Sequence, residues 1–190
     1  ANGVWLGADV EGIAQWFVEH QLPDGGWNCE WVNGSVRSSF DSTLNSLKGL
    51  LAHEIATGGT PATRAARRKG EEYLLERQLM FRLSTGELFD FRATKFSYPF
   101  RWFYNVLNAT EYYRDASLFD GTSPDPRMAA AIAEIRAQRR PDGSWLQARR
   151  HPGRVWFEVD VPAGERSKWL TLAGTRVLDW WDRGPGIASA

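Results

Sequence analysis

Apolar residues recur along the chain at the three-to-four-residue spacing that lines one face of an α-helix. Phe40, Leu44, Leu47, Leu51 and Ile55 form one such stripe, and Gly58-Gly59 ends it. Thr60 then caps a second helix with Pro61 at its first position, where a missing N–H costs nothing. Asp125-Pro126 repeats that start ahead of Met128, Ile132 and Ile135; Trp169, Leu172, Arg176 and Trp180 make a further stripe, stopped by Gly184-Pro185. The spacing predicts six helices, near residues 6–21, 40–56, 61–80, 98–115, 126–139 and 166–182. The helix expected from Pro99 to Tyr113 is apolar or aromatic almost all round, as a helix buried on most sides is; those at 61–80 and 126–139 carry many more charges. This predicts an all-α fold in which inner and outer helices alternate. The remaining stretch, His151 to Glu165, reads as a long loop carrying a short strand over 156–160, and loops of that length are often functional.

A second pattern overlies the first. The fullest copy is Gly12-x3-Trp16-Phe17-x3-Gln21-x3-Gly25-Gly26-Trp27. Lys69-Gly70-x2-Tyr73-Leu74-x3-Gln78 repeats its first half and Gln138-x4-Gly143-Ser144-Trp145 its second, so the glutamines recur at near-equal intervals of about 60 residues. Pro23-Asp24-Gly25-Gly26-Trp27 and Pro141-Asp142-Gly143-Ser144-Trp145 are nearly the same pentapeptide. The recurrence explains the ten tryptophans among 190 residues, several times the usual share.

Gly-x3-aromatic-x4-Gln-x3-Gly-x-Trp resembles the QW motif of the squalene and oxidosqualene cyclases. That family shares its (α/α) barrel fold with the protein prenyltransferase β subunits. The resemblance implies an α/α toroid, here about three helix pairs or a partial ring, and a structural role for Gln21, Trp27, Gln78, Gln138 and Trp145. The second copy lacks the tryptophan, reading Gly86-Glu87-Leu88, and the third has Ala133 and Glu134 in place of the aromatic pair. Physically, a glycine turn ends a helix, the indole packs beneath it, and a glutamine amide satisfies helix-end backbone groups.

The resemblance does not carry an activity with it. The chain has neither the Asp-x-Asp-Asp with which class II cyclases protonate an alkene nor the Asp-Asp-x-x-Asp that holds magnesium in class I terpene synthases. The nearest string is Glu158-Val159-Asp160-Val161, and Cys29, the only cysteine, has no partner at zinc-ligand spacing, so no metal or other cofactor is expected. The expected function is that of a terpenoid-cyclase-like protein acting on or binding a prenyl or terpenoid lipid. The alternatives are a non-catalytic α/α-toroid binding or scaffold module and, more weakly, a carbohydrate-active α/α barrel that uses paired carboxylates. Asp41, Glu111, Glu158 and Asp160 are the candidate acids; Tyr98, Arg101, Trp102, Tyr112, His151 and Lys168 are the candidate binding groups. Aromatic walls of this kind stabilise carbocations by cation–π attraction, although plain core packing is the commoner use.

Net charge is zero, which argues against nucleic acid as a partner, and the basic stretches Arg64–Lys69 and Arg149–Arg154 read as solvated surface. No apolar run approaches the roughly 20 residues that span a bilayer, and one cysteine suits a reducing, cytoplasmic compartment. Residues 1–183 are expected as a single toroid domain or part of one, and 184–190 as a flexible tail. Three helix pairs leave inner apolar faces open, which soluble monomers avoid. The expectation is therefore that a longer chain supplies the remainder of the ring, that copies associate, or that the helices close into a smaller bundle, and that the ligand is an apolar small molecule.

Overall fold

A computed structural model describes residues 10–184, and they are mainly helical. The tail expected over 184–190 falls outside them beyond Gly184, as do the first residues of the helix expected at 6–21. The chain divides between Glu76 and Arg77 into two compact units.

The first unit holds α1 (Val10–Glu19), a 3-10 turn (Cys29–Asn33), α2 (Phe40–Thr57) and α3 (Pro61–Glu76). α2 begins where the Ser39 side chain accepts from Ser42 N–H and ends at Gly58, whose left-handed φ of 85° any other residue would adopt at a cost. α2 and α3 pack on each other and α1 on both. Their core buries Leu44, Leu47, Leu50 and Leu51 of α2 with Ala66, Tyr73 and Leu74 of α3. Ile55, expected on the buried stripe, is exposed, and Glu54 is buried instead. The reason is Arg67. It lies fully inside, forks onto both Glu54 carboxylate oxygens at 2.9 Å, and reaches Glu71 at 2.7 Å. The basic stretch expected as solvated surface thus sends one arginine into the core, where paired carboxylates make its burial tolerable.

The second unit holds α4 (Val106–Asp120), α5 (Ala129–Ala137) behind a 3-10 turn (Pro126–Met128), the two-residue strands β1 (Trp145–Leu146) and β2 (Arg166–Ser167), and α6 (Lys168–Arg183). α4 packs on α5 and α6, and β1 pairs antiparallel with β2 in the register Trp145–Ser167. Three expectations are corrected here. First, the helix expected over 98–115 begins only at Val106. Pro99 disfavours helix in the residue before it, and Asn105 supplies the cap by accepting from Asn108 N–H at 2.9 Å. Tyr98, Arg101 and Trp102 therefore lie on a loop, with a cis Tyr98–Pro99 peptide, and Trp102 is 57% exposed. Second, residues 156–160 form no strand; the short strands are at the roots of that loop. Third, α6 turns Leu170, Ala173, Gly174, Val177 and Leu178 inward; of the expected stripe only Trp180 is buried with them, while Trp169 and Leu172 are 37% and 50% exposed.

The two tryptophans of the repeated pentapeptide sit in matching frames, each within its own unit. Leu22 N–H donates to Gly26 O and Gly25 N–H to Leu22 O, as Arg140 N–H does to Ser144 O and Gly143 N–H to Arg140 O, all at 2.8–2.9 Å. The indole Nε1 of Trp27 donates to Phe17 O at 2.7 Å, that of Trp145 to Ile135 O at 2.9 Å. Their backbone N–H groups donate to Thr43 and Thr171, each four residues beyond the capping serine of the following helix. A glycine backs each ring. A Cβ on Gly70 would stand 2.5 Å from the Trp27 ring, and one on Gly174 2.9 Å from that of Trp145. The glutamines differ more. Gln21 Nε2 donates to Gly25 O and Ala66 O at 2.7 Å, whereas Gln138 Nε2 donates to Thr94 O at 2.8 Å and to Glu134. Gln78 is exposed at φ 48° and makes none of these bonds, and Leu88, at its tryptophan position, is exposed too.

Candidate functional site

The loop between β1 and β2 folds over the Tyr98–Arg101 segment, and together they enclose a cleft in the second unit. It is lined by Tyr98, Pro99 and Arg101 on one side and by Gln147, Arg150, His151 and the 155–161 stretch on the other, around a small cavity of about 20 Å³. Gln147 locks the two segments together. Buried, it accepts from Tyr98 N–H through Oε1 at 2.9 Å and donates from Nε2 to Tyr98 O at 2.7 Å. Ala148 N–H adds a bond to Phe96 O at 2.8 Å. Sequence reasoning missed Gln147, because a lone glutamine in a loop carries no pattern; its spacing of two residues from Trp145 is the only signal.

His151 is 5% exposed and stacks on Phe103 at 4.5 Å. Its Nε2 lies 2.9 Å from Pro99 O, and a carbonyl can only accept, so Nε2 carries the proton. Burial holds the imidazole below the ordinary histidine pKa. The Pro99 bond opposes that shift, and the charges of Arg149 and Arg101 add to it. The neutral ring therefore presents Nδ1 as an acceptor, and that atom is buried without a hydrogen-bond partner.

Asp160 lies at the other end of the loop. Leu170 N–H donates to Ser167 Oγ at 3.0 Å as part of the α6 cap, which turns the hydroxyl proton toward Asp160 Oδ2. Asp160 Oδ1 is buried and has no partner. Glu158 pairs with Arg150. Tyr98 stacks on Trp169 at 5.2 Å, and Lys168 stands 5.3 Å over the Trp169 ring, next to the cleft but not in its wall.

The structure therefore gathers Tyr98, Arg101, His151, Glu158 and Asp160 around one cleft. It does not bring Trp102 or Tyr112 there: Trp102 stacks on Phe103 at 3.9 Å, and Tyr112 is buried in the core on α4. The remaining two acids of the candidate set fall in different units, Asp41 in the first turn of α2 and Glu111 on α4, 3.8 Å from Arg176. Arg101 is exposed, and Glu111 and Asp115 lie 3.8 and 3.7 Å from Arg176. No group of three or more His, Cys, Asp and Glu side chains among the described residues is placed to hold a metal ion, and no helix among them is long and apolar enough to cross a membrane.

No protein family, curated protein or solved structure matches the chain.

Proposed function

We propose that the chain is a helical-repeat module of the terpenoid-cyclase kind that binds a prenyl or terpenoid lipid. In this reading its helices form about three pairs of an α/α toroid, with α2 and α4 on the inner layer and α3 and α5 on the outer, and the protein works in the cytoplasm. The observation that carries the reading is the composition of the cleft. Pro99, Val155, Phe157, Val159 and Val161 supply apolar wall, and a few polar groups from Tyr98, Gln147, His151 and Asp160 stand among them. That is the usual make-up of a small-molecule site, in which apolar surface gives affinity and sparse polar groups give orientation. The loop above it leaves Trp156 fully exposed and Phe157 mostly so, further apolar surface beside the opening. The matched frames around Trp27 and Trp145 support the repeat architecture.

Titration of farnesol into the purified protein, followed by tryptophan fluorescence, tests the reading. Saturable quenching is expected, weakened by Phe157→Asp. A flat titration would refute it. A second reading, a carbohydrate-active barrel, draws on the hydroxyl-accepting atoms of His151 and Asp160; saturable binding of a glucoside in place of farnesol would favour it. Cyclisation by this chain alone is not expected, since an alkene needs a proton donor or a metal-triggered leaving group and neither acid motif is in the sequence. Cyclic product from squalene or a linear prenyl diphosphate, abolished by one carboxylate substitution, would overturn that.

A further inference from the structure

We infer that the loop between β1 and β2 docks the protein on a membrane surface rich in anionic phospholipid, seating Trp156 and Phe157 among the headgroups.

The loop carries apolar side chains outward. Trp156 is fully exposed, Phe157 mostly so, and neither makes a ring contact among the described residues. A packed aromatic side chain buries about 150–250 Å². These two alone therefore place a few hundred Å² of apolar surface in water, as much as a soluble monomer usually leaves open in one patch. The surface continues onto the segments packed against the loop. Trp169 is partly exposed, donates from Nε1 to Val159 O at 3.0 Å and stacks on Tyr98. Trp102, more than half exposed, adjoins Arg101 in the wall that the loop covers.

Charge selects the partner. The whole chain has no net charge. This surface carries five cations, Arg101, Arg149, Arg150, Arg154 and Lys168, against the carboxylates of Glu158 and Asp160. Arg150 pairs with Glu158, whereas Arg101 and Arg154 are exposed and pair with no acid among the described residues. Arg149 stands over Phe103, itself stacked on Trp102, and Lys168 stands over Trp169. Glu165 instead shares a groove with Arg140 and Arg166. Guanidinium groups fork onto phosphate oxygens, and a basic surface is drawn to anionic headgroups. Aromatic side chains settle at the same depth, where headgroups meet acyl chains. Apolar insertion and a basic patch are the two signals that stable peripheral attachment takes, and no spanning helix is needed. No neighbouring ring holds Trp156 or Phe157 in one orientation. They suit a fluid interface, which accepts any orientation, better than a shaped protein pocket or a stack of bases.

The test is cosedimentation of the purified chain with vesicles of phosphatidylcholine alone and of equimolar phosphatidylcholine and phosphatidylserine. Binding to the mixed vesicles is expected to be at least about tenfold tighter and to weaken with salt. Arg154→Glu and the double variant Trp156→Ser, Phe157→Ser should each weaken it at least about tenfold. All three side chains are exposed, so both variants should fold with the wild-type urea midpoint. No binding to the mixed vesicles, equal binding to the two vesicle types, or undiminished binding by either variant overturns the inference. So does capture of single-stranded RNA, or self-association lost in Trp156→Ser, without vesicle binding; the patch would then belong to nucleic acid or to a second copy.

Discussion

Gly70→Ala tests the tryptophan frame by the sign of its effect. In the interior of a helix this substitution normally stabilises by about 1 kcal/mol, because alanine loses less backbone freedom on folding. Gly70 lies in α3, is buried, and backs the Trp27 ring. The new methyl would stand 2.5 Å from Trp27 Cζ3 and 2.9 Å from Leu47 Cδ2, closer than carbon atoms approach. The indole has little room to retreat, since Nε1 is held by Phe17 O and the backbone N–H by Thr43. Overpacking of this kind costs about 1–3 kcal/mol. The clash offsets or outweighs the propensity gain, and a net loss of up to about 2 kcal/mol is expected in place of the usual gain, a fall in Tm of up to roughly 8 °C for a chain of this size. Urea unfolding followed by circular dichroism measures it. The control is the same substitution in a Trp27→Leu background, where the methyl has room and Gly70→Ala should become neutral or stabilising, a coupling of about 1–3 kcal/mol. A gain of about 1 kcal/mol in both backgrounds would show that Gly70 is an ordinary helix glycine and that the frame does not constrain it.

Trp145→Ala removes a fully buried indole together with its bond to Ile135 O and should cost about 3–5 kcal/mol; an unchanged urea midpoint would contradict the packing role. Arg67→Met strands the Glu54 and Glu71 carboxylates in the first unit and should cost about 3–5 kcal/mol, with part recovered by adding Glu54→Leu; a harmless single substitution would show that Arg67 is not balancing them. The buried neutral His151 makes stability depend on pH. Its folded pKa lies below the ordinary value near 6.5, so between the two the unfolded chain binds the extra proton. Its contribution is complete above about pH 6.5 and is lost as pH falls through the lowered folded value. The urea midpoint should drop over that range in wild type and drop less in His151→Phe; identical pH profiles would refute it.

The sequence by itself determined that six helices form and roughly where, because helix formation depends on local physics, although the fourth lies well displaced from its expected span. Apolar spacing, Thr60 as a cap and Gly58 as a stop act within a few residues of themselves; the caps at Ser39, Asn105 and Ser167 and the stop at Gly121 came to light only in the structure. The recurring pentapeptide likewise implied matching frames around Trp27 and Trp145, since the same turn residues ahead of the same indole fold alike. Aromatic density misled where it was read as a buried helix: the run from Pro99 to Tyr104 is a loop, with Tyr104 buried and Trp102 57% exposed. What tertiary structure alone decided was which polar residues meet. Arg67 went inward because Glu54, on another helix, was there to receive it. Gln147 found Tyr98, His151 found Pro99 and Ser167 found Asp160 across gaps in the chain that no periodicity encodes. The cleft exists only because β1 and β2 bring the two ends of its loop together, and hydrogen-bond partners chosen by folding leave no spacing in the sequence to read.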